Sequence, residues 1–133
     1  MKNYFALLLM IVFPAAASAQ ERSIGVALER YGVVSGGWWL NKKCNFISGE
    51  EAKVFSRDVA VVNTSLTTTL DNPNLVLSIQ ASGKRVSESE TYASCPKQAQ
   101  EIVTYAASAA SQWASEIRKA VLEAATRLPG APK

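Results

Sequence analysis

Cys44 and Cys95 are the only two cysteines in the chain, and their options constrain the fold more than any other feature. With two thiols only one intramolecular pairing exists. The spacing is not C-x-x-C, so there is no thioredoxin-like redox motif. The chain has no histidine, which leaves a structural zinc site short of ligands. In an exported chain an even cysteine count predicts a disulfide. A bridge between them closes a loop of about 50 residues, a stabilisation on the order of 4 kcal/mol by the chain-entropy estimate.

The N-terminus predicts export. Lys2 supplies a short positive region, Phe5 to Phe13 is an unbroken apolar run, and Ala17-Ser18-Ala19 has the small-x-small form that signal peptidase accepts. Residues 1–19 are therefore expected to be a signal peptide, with the mature chain starting at Gln20. The apolar run is too short to span a bilayer, which needs about 20 residues. No later segment is more apolar, so no stable membrane span is expected after cleavage. The short leader is of bacterial type, which places the product in the periplasm or outside the cell. Asn63-Thr64-Ser65 matches a glycosylation acceptor, but that matters only in a eukaryotic secretory pathway.

One domain is expected over 20–128, with a loose C-terminal tail over 129–133. Ser23 is a candidate N-cap for a short helix over 23–32 with Ile24, Ala27, Leu28 and Tyr31 on one face, closed by Gly32. Ser35-Gly36-Gly37 then reads as a flexible lead into extended chain carrying Trp38-Trp39.

Ser48-Gly49-Glu50-Glu51 has the form of a capping box. Phe55, Val59, Val62, Leu66 and Leu70 follow at helical spacing and predict a helix over 49–70, although valine and threonine are frequent there. Asn72-Pro73 suits the start of a short helix over 73–82, with Gly83 closing it and a polar connection over 84–92.

Cys95-Pro96 opens the longest element, expected over 96–128. Ala99, Val103, Ala106, Ala110, Trp113, Ile117, Ala120 and Ala124 alternate spacings of four and three, a heptad seam rich in alanine, and Leu128 extends its apolar side. Small residues on a seam let a neighbouring helix approach closely. The same seam is a candidate surface for a homodimer. The fold class is thus all-α: three to four helices with a long C-terminal helix, stapled by Cys44–Cys95.

The composition argues against several functions. Loss of residues 1–19 removes one lysine from the 14 basic residues, which face 11 acidic ones. The remaining charge of about +2 is scattered, and no basic patch with interleaved aromatics predicts nucleic-acid binding. The absence of histidine removes the commonest general base and metal ligand. Glu50, Glu51 and Asp58 are the nearest thing to a carboxylate cluster, and near the start of a helix they read as solvated charges that favour its dipole. Gly36-Gly37 lacks the strand-to-helix context of a phosphate loop. No catalytic residue, metal site or cofactor is expected, and the chain is read as a non-enzyme.

Trp38, Trp39 and Trp113 are the candidate interaction residues, since tryptophan dominates interface hot spots. On extended chain Trp38 and Trp39 point to opposite faces: either both pack over the helices near the disulfide, or one enters the core while the other stays exposed as an anchor for a partner. The expectation is an interaction module, an adaptor or subunit of an envelope assembly with a protein partner. In its organisation (signal peptide, compact helical domain, two cysteines bridged across the middle) the chain resembles the small acid-stress chaperones of the periplasm, though no motif is shared residue by residue. That resemblance implies a stress chaperone for unfolded clients. A secreted inhibitor, or an enzyme with an unrecognised site, is the third alternative.

Overall fold

In the computed structural model, which describes the backbone of residues 2–128 and the side chains of 23–128, four helices follow one another: α1 (Lys2–Cys44), α2 (Gly49–Thr69), α3 (Asn74–Ser87) and α4 (Lys97–Thr126). A single 3-10 turn at Glu90–Tyr92 separates α3 from α4. The described residues contain no strand, and the fold is the expected small all-α domain. The leader expected over 1–19, with its cleavage sequence, lies outside the residues whose side chains are described, and the tail expected over 129–133 lies outside the described residues altogether. By contacts the chain forms two units, Met1–Arg30 and Tyr31–Lys133. The first is the N-terminal part of α1; the second holds the core and the bridge.

The helix expected to start at Ser23 and stop at Gly32 does neither. α1 runs without a break to Cys44, and Trp38-Trp39 is helical rather than extended. The reason is tertiary. A helical backbone puts Tyr31, Val34, Leu40 and Asn41 into the interior, and it sets the glycines where neighbouring helices come close. A Cβ on Gly37 would overlap the Ala106 Cβ of α4, and a Cβ on Gly83 of α3 would lie 3.3 Å from the Gly36 Cα. Glycine's poor helix propensity, about 1 kcal/mol per residue, is offset by the packing that this approach permits.

α1 ends at Asn45, which takes the left-handed conformation (φ 53°) and donates its backbone N–H to the Asn41 carbonyl at 2.7 Å. Asparagine accepts that conformation readily. The Asn41 amide then clamps the loop, accepting from the Ile47 N–H at 2.8 Å and donating to the Ile47 carbonyl at 3.0 Å. Lys43 donates to the Ser87 carbonyl at 3.0 Å, a cation at the C-terminus of α3 where the helix dipole favours it.

The expected Cys44–Cys95 disulfide is formed, with a Cα–Cα distance of 5.6 Å. It joins the last residue of α1 to the residues leading into α4. Cys95 also has a left-handed backbone (φ 51°), which costs a non-glycine residue about 1–2 kcal/mol. The covalent tie outweighs that cost.

The α2 stripe is buried as expected at Phe55, Val59, Val62 and Leu66. Its threonines are accommodated by bonding back along the helix: Thr67, Thr68 and Thr69 donate to the carbonyls of Asn63, Thr64 and Ser65 at 2.7–2.9 Å. Ser48 precedes α2 with an extended backbone but makes no side-chain capping bond, so the capping box is not closed. Asn72 accepts from the Asn74 N–H at 3.1 Å just ahead of α3, but the cap residue is Pro73, one position later than expected. That helix passes through Gly83 and ends only at Ser87.

The α4 seam is buried from Ala99 through Val103, Ala106 and Ala110 to Trp113, but not to Leu128. Beyond it Ala120, Ala124 and Leu128 are exposed. There the facing end of α2 offers Thr64, Ser65, Thr68 and Thr69 rather than an apolar stripe.

Candidate functional site

Trp38 and Trp39 are consecutive on α1, so their side chains diverge by about 100° around the helix rather than alternating between two faces. Both are half-buried. Their rings meet edge to face, with centroids 4.8 Å apart and planes at 73°. One turn later, Lys42 lies over both, its Nζ 4.5 Å from the Trp38 centroid and 5.4 Å from that of Trp39. Lys84 approaches the Trp39 ring from α3 at 5.5 Å. Such cation–π contacts are worth about 0.5–1 kcal/mol each at an exposed site. Trp38 is also fixed at its polar end, Nε1 donating to Ser56 Oγ of α2 at 3.1 Å. Trp39 Nε1 is buried and has no hydrogen-bond partner among the described residues.

Beside the pair opens a cleft of about 350 Å³ bounded by α1, α2 and α3. Tyr31 forms part of its floor and is fully buried. Its hydroxyl accepts one hydrogen from the Asn63 amide at 2.8 Å and one from the Gln80 amide at 2.7 Å. Two side chains from different helices are thereby held at the cleft wall by a single buried oxygen. The wall groups are indoles, amides and hydroxyls; the cleft residues include no carboxylate. Neutral groups of this kind bind and orient a ligand but are poor proton-transfer catalysts.

Trp113, the third candidate interaction residue, is placed differently. It is 8% exposed and belongs to the buried part of the α4 seam. The structure thus brings Trp38 and Trp39 together and leaves Trp113 in the core.

Asp58 is a correction to the sequence expectation of a solvated helix-start charge. It is 2% exposed and accepts from Arg118 Nη2 of α4 at 3.0 Å. Glu50 and Glu51 are exposed as expected, with Glu50 paired to Lys53 at 3.1 Å. The described residues contain no cluster of three or more metal-ligating side chains, and none of their helices is long and apolar enough to cross a membrane.

Tyr31, Asn63 and Gln80 escaped the sequence reading. Tyr31 counted only as one more apolar position, and Asn63 only as part of a glycosylation pattern. Nothing in the local sequence around Gln80 marks it. Compared with protein-family models, curated proteins and solved structures, the chain matches none.

Proposed function

We propose that this chain is a non-catalytic binding module of the cell envelope, an adaptor or subunit that docks a protein partner through the Trp38–Trp39 face of α1. One observation carries the proposal: two adjacent, half-exposed tryptophans, in contact with Ser56, Lys42 and Lys84, line a preformed cleft. Rigid aromatics lose little entropy on binding and supply much of an interface's energy. The Cys44–Cys95 bridge supports an oxidising compartment, periplasmic or extracellular. The neutral cleft supports binding over catalysis.

The test is capture of a cross-linked partner from native envelope by wild type and by Trp38→Ala at neutral pH. Trp38-dependent capture of one defined partner is the expected result, and equal capture by the variant refutes the docking face.

A second reading, a stress chaperone, is favoured by the exposed Val121, Leu122 and Leu128 near the end of α4. It requires suppression of aggregation of unrelated clients, lost on replacing those three residues with serine.

A further inference from the structure

We infer that the cleft beside Trp38 and Trp39 accepts a carboxylate side chain from an acidic segment of the docked partner. This inference rests on the docking face proposed above and names the chemistry it recognises.

The polar groups of the cleft have their roles set by bonds already made. Ser56 Oγ accepts the Trp38 indole N–H, so its own hydrogen is left to donate. Asn63 and Gln80 each give one amide hydrogen to the buried Tyr31 oxygen and keep a second. The wall therefore offers free donors beside the amide and hydroxyl oxygens of the same residues, and the buried Tyr31 holds two of the donor amides in place. Neither lysine lines the cleft itself, but Lys42 and Lys84 lie over the two indoles that do, within 4.5–5.5 Å of their centroids. Neither forms an ion pair with a carboxylate among the described residues. No aspartate or glutamate lines the cleft to oppose them.

Free donors in the cleft, two cations over its indoles and no anion in its lining favour a negatively charged acceptor. A carboxylate is that group: its two oxygens offer about four acceptor positions and no donor. Its bonds to ammonium and amide are charge-assisted and short.

The alternatives fit less well. A quaternary ammonium would use the same aromatic rings, but Lys42 already lies over both of them and repels a second cation. A neutral sugar could use the amide and hydroxyl groups but gains nothing from the lysines. The volume, about 350 Å³, is near the lower limit for a small-molecule pocket. A side chain inserted from a partner already resting on Trp38 suits it better than a free ligand.

The test uses the full exported chain with its disulfide intact. Its three tryptophans give indole N–H signals that nuclear magnetic resonance can follow separately. A short glutamate-rich peptide is titrated in, with a serine-rich peptide of the same length, sodium acetate and glucose as the other arms. The expected result is a saturable shift of the Trp38 and Trp39 signals, but not of Trp113, by the glutamate-rich peptide alone at low concentration. Binding should weaken as salt is raised. The double variant Lys42→Gln/Lys84→Gln should lose about tenfold or more in affinity, equivalent to about 1.4 kcal/mol, while staying folded with only the small fall in melting temperature that loss of the exposed lysine–indole contacts brings.

The inference is overturned if the glutamate-rich peptide leaves the signals in place, if the serine-rich peptide or glucose shifts them equally, or if the lysine variant binds as well as wild type. Saturation by acetate as tight as by the peptide overturns the partner segment in favour of a free carboxylate. Trp38-dependent capture of a partner, combined with no peptide binding, overturns this inference while leaving the docking face standing.

Discussion

Gly37 of α1 lies so close to Ala106 of α4 that a Cβ on the glycine would overlap the alanine Cβ. Both atoms are fixed to the backbone, so neither side chain can rotate away. Its neighbour Gly36 would place a Cβ in open space. The two glycines should therefore respond oppositely to alanine. Gly36→Ala is expected to stabilise by up to about 1 kcal/mol through helix propensity. Gly37→Ala gains the same propensity but forces the helices apart, for a net loss of about 1–3 kcal/mol. Adding Ala106→Gly should recover part of that loss, a coupling that thermal unfolding of the four variants would measure. Equal effects at 36 and 37 would refute the contact.

These glycines also show why part of the fold was legible in the sequence and part was not. Helix periodicity is a property of one segment, so α2 was readable from Phe55 to Leu66 against its β-branched composition. The α4 seam was readable for the same reason as far as Trp113. Gly32, Gly36, Gly37 and Gly83 read locally as breaks because an isolated chain would break there. Whether a glycine is a turn or a crossing point depends on what approaches it, and that partner lies far away in sequence. Asp58 was misjudged in the same way: Arg118 stands 60 residues later. The Tyr31 hydroxyl joins Asn63 and Gln80 across 32 and 49 residues, so no local pattern encodes it. The cysteine pair was legible because two cysteines admit only one pairing.

Asp58 and Arg118 tie α2 to α4 with one side of the pair buried and the other 44% exposed. Removing Arg118 leaves a desolvated carboxylate without its cation, whereas removing Asp58 frees a guanidinium that solvent can still reach. Arg118→Ala is expected to cost about 1–3 kcal/mol, below the range for fully buried pairs because of its exposure. The double variant Asp58→Asn/Arg118→Ala should be more stable than Arg118→Ala alone. Urea unfolding of wild type and the two variants checks this, and a double variant no better than the single one would contradict it.

The Cys44–Cys95 bridge ties residues 51 apart in sequence. Cys44→Ser is expected to lower stability by about 2–5 kcal/mol, the usual cost of losing a native bridge in a small secreted domain. Thiol titration of denatured, unreduced protein should find no free thiol in wild type. Two free thiols per chain from material exported to an oxidising compartment would contradict the bridge.

Tyr31 gives a prediction that separates positioning from packing. Tyr31→Phe keeps the ring in the interior but deprives the Asn63 and Gln80 amides of their shared acceptor. The cost should be about 1 kcal/mol, the net value of a typical hydrogen bond, because both amides are only part-buried. The Asn63 and Gln80 side-chain amide signals should also broaden or shift. A stability loss with both signals unchanged would mean that the hydroxyl does not organise the cleft wall.

The tryptophans give the sharpest division between folding and docking. Trp113 is packed into the buried α4 seam, so Trp113→Ala should cost about 3–5 kcal/mol of stability, as for any large aromatic cut from a core. Trp38 is half-buried and held mainly at its edges, by Ser56 at Nε1 and Lys42 over the ring. Trp38→Ala should therefore unfold close to wild type while losing about 2 kcal/mol or more of partner affinity, the mark of an interface anchor. Trp39 stands between these cases: its edge lies against Gly83 of α3, with Cδ1 3.4 Å from where a Cβ on Gly83 would sit. Trp39→Ala should lose stability and binding together. Thermal unfolding and pull-down of the three single variants distinguish these outcomes. If Trp38→Ala unfolds as early as Trp113→Ala, the pair is part of the core and the docking face is lost with it.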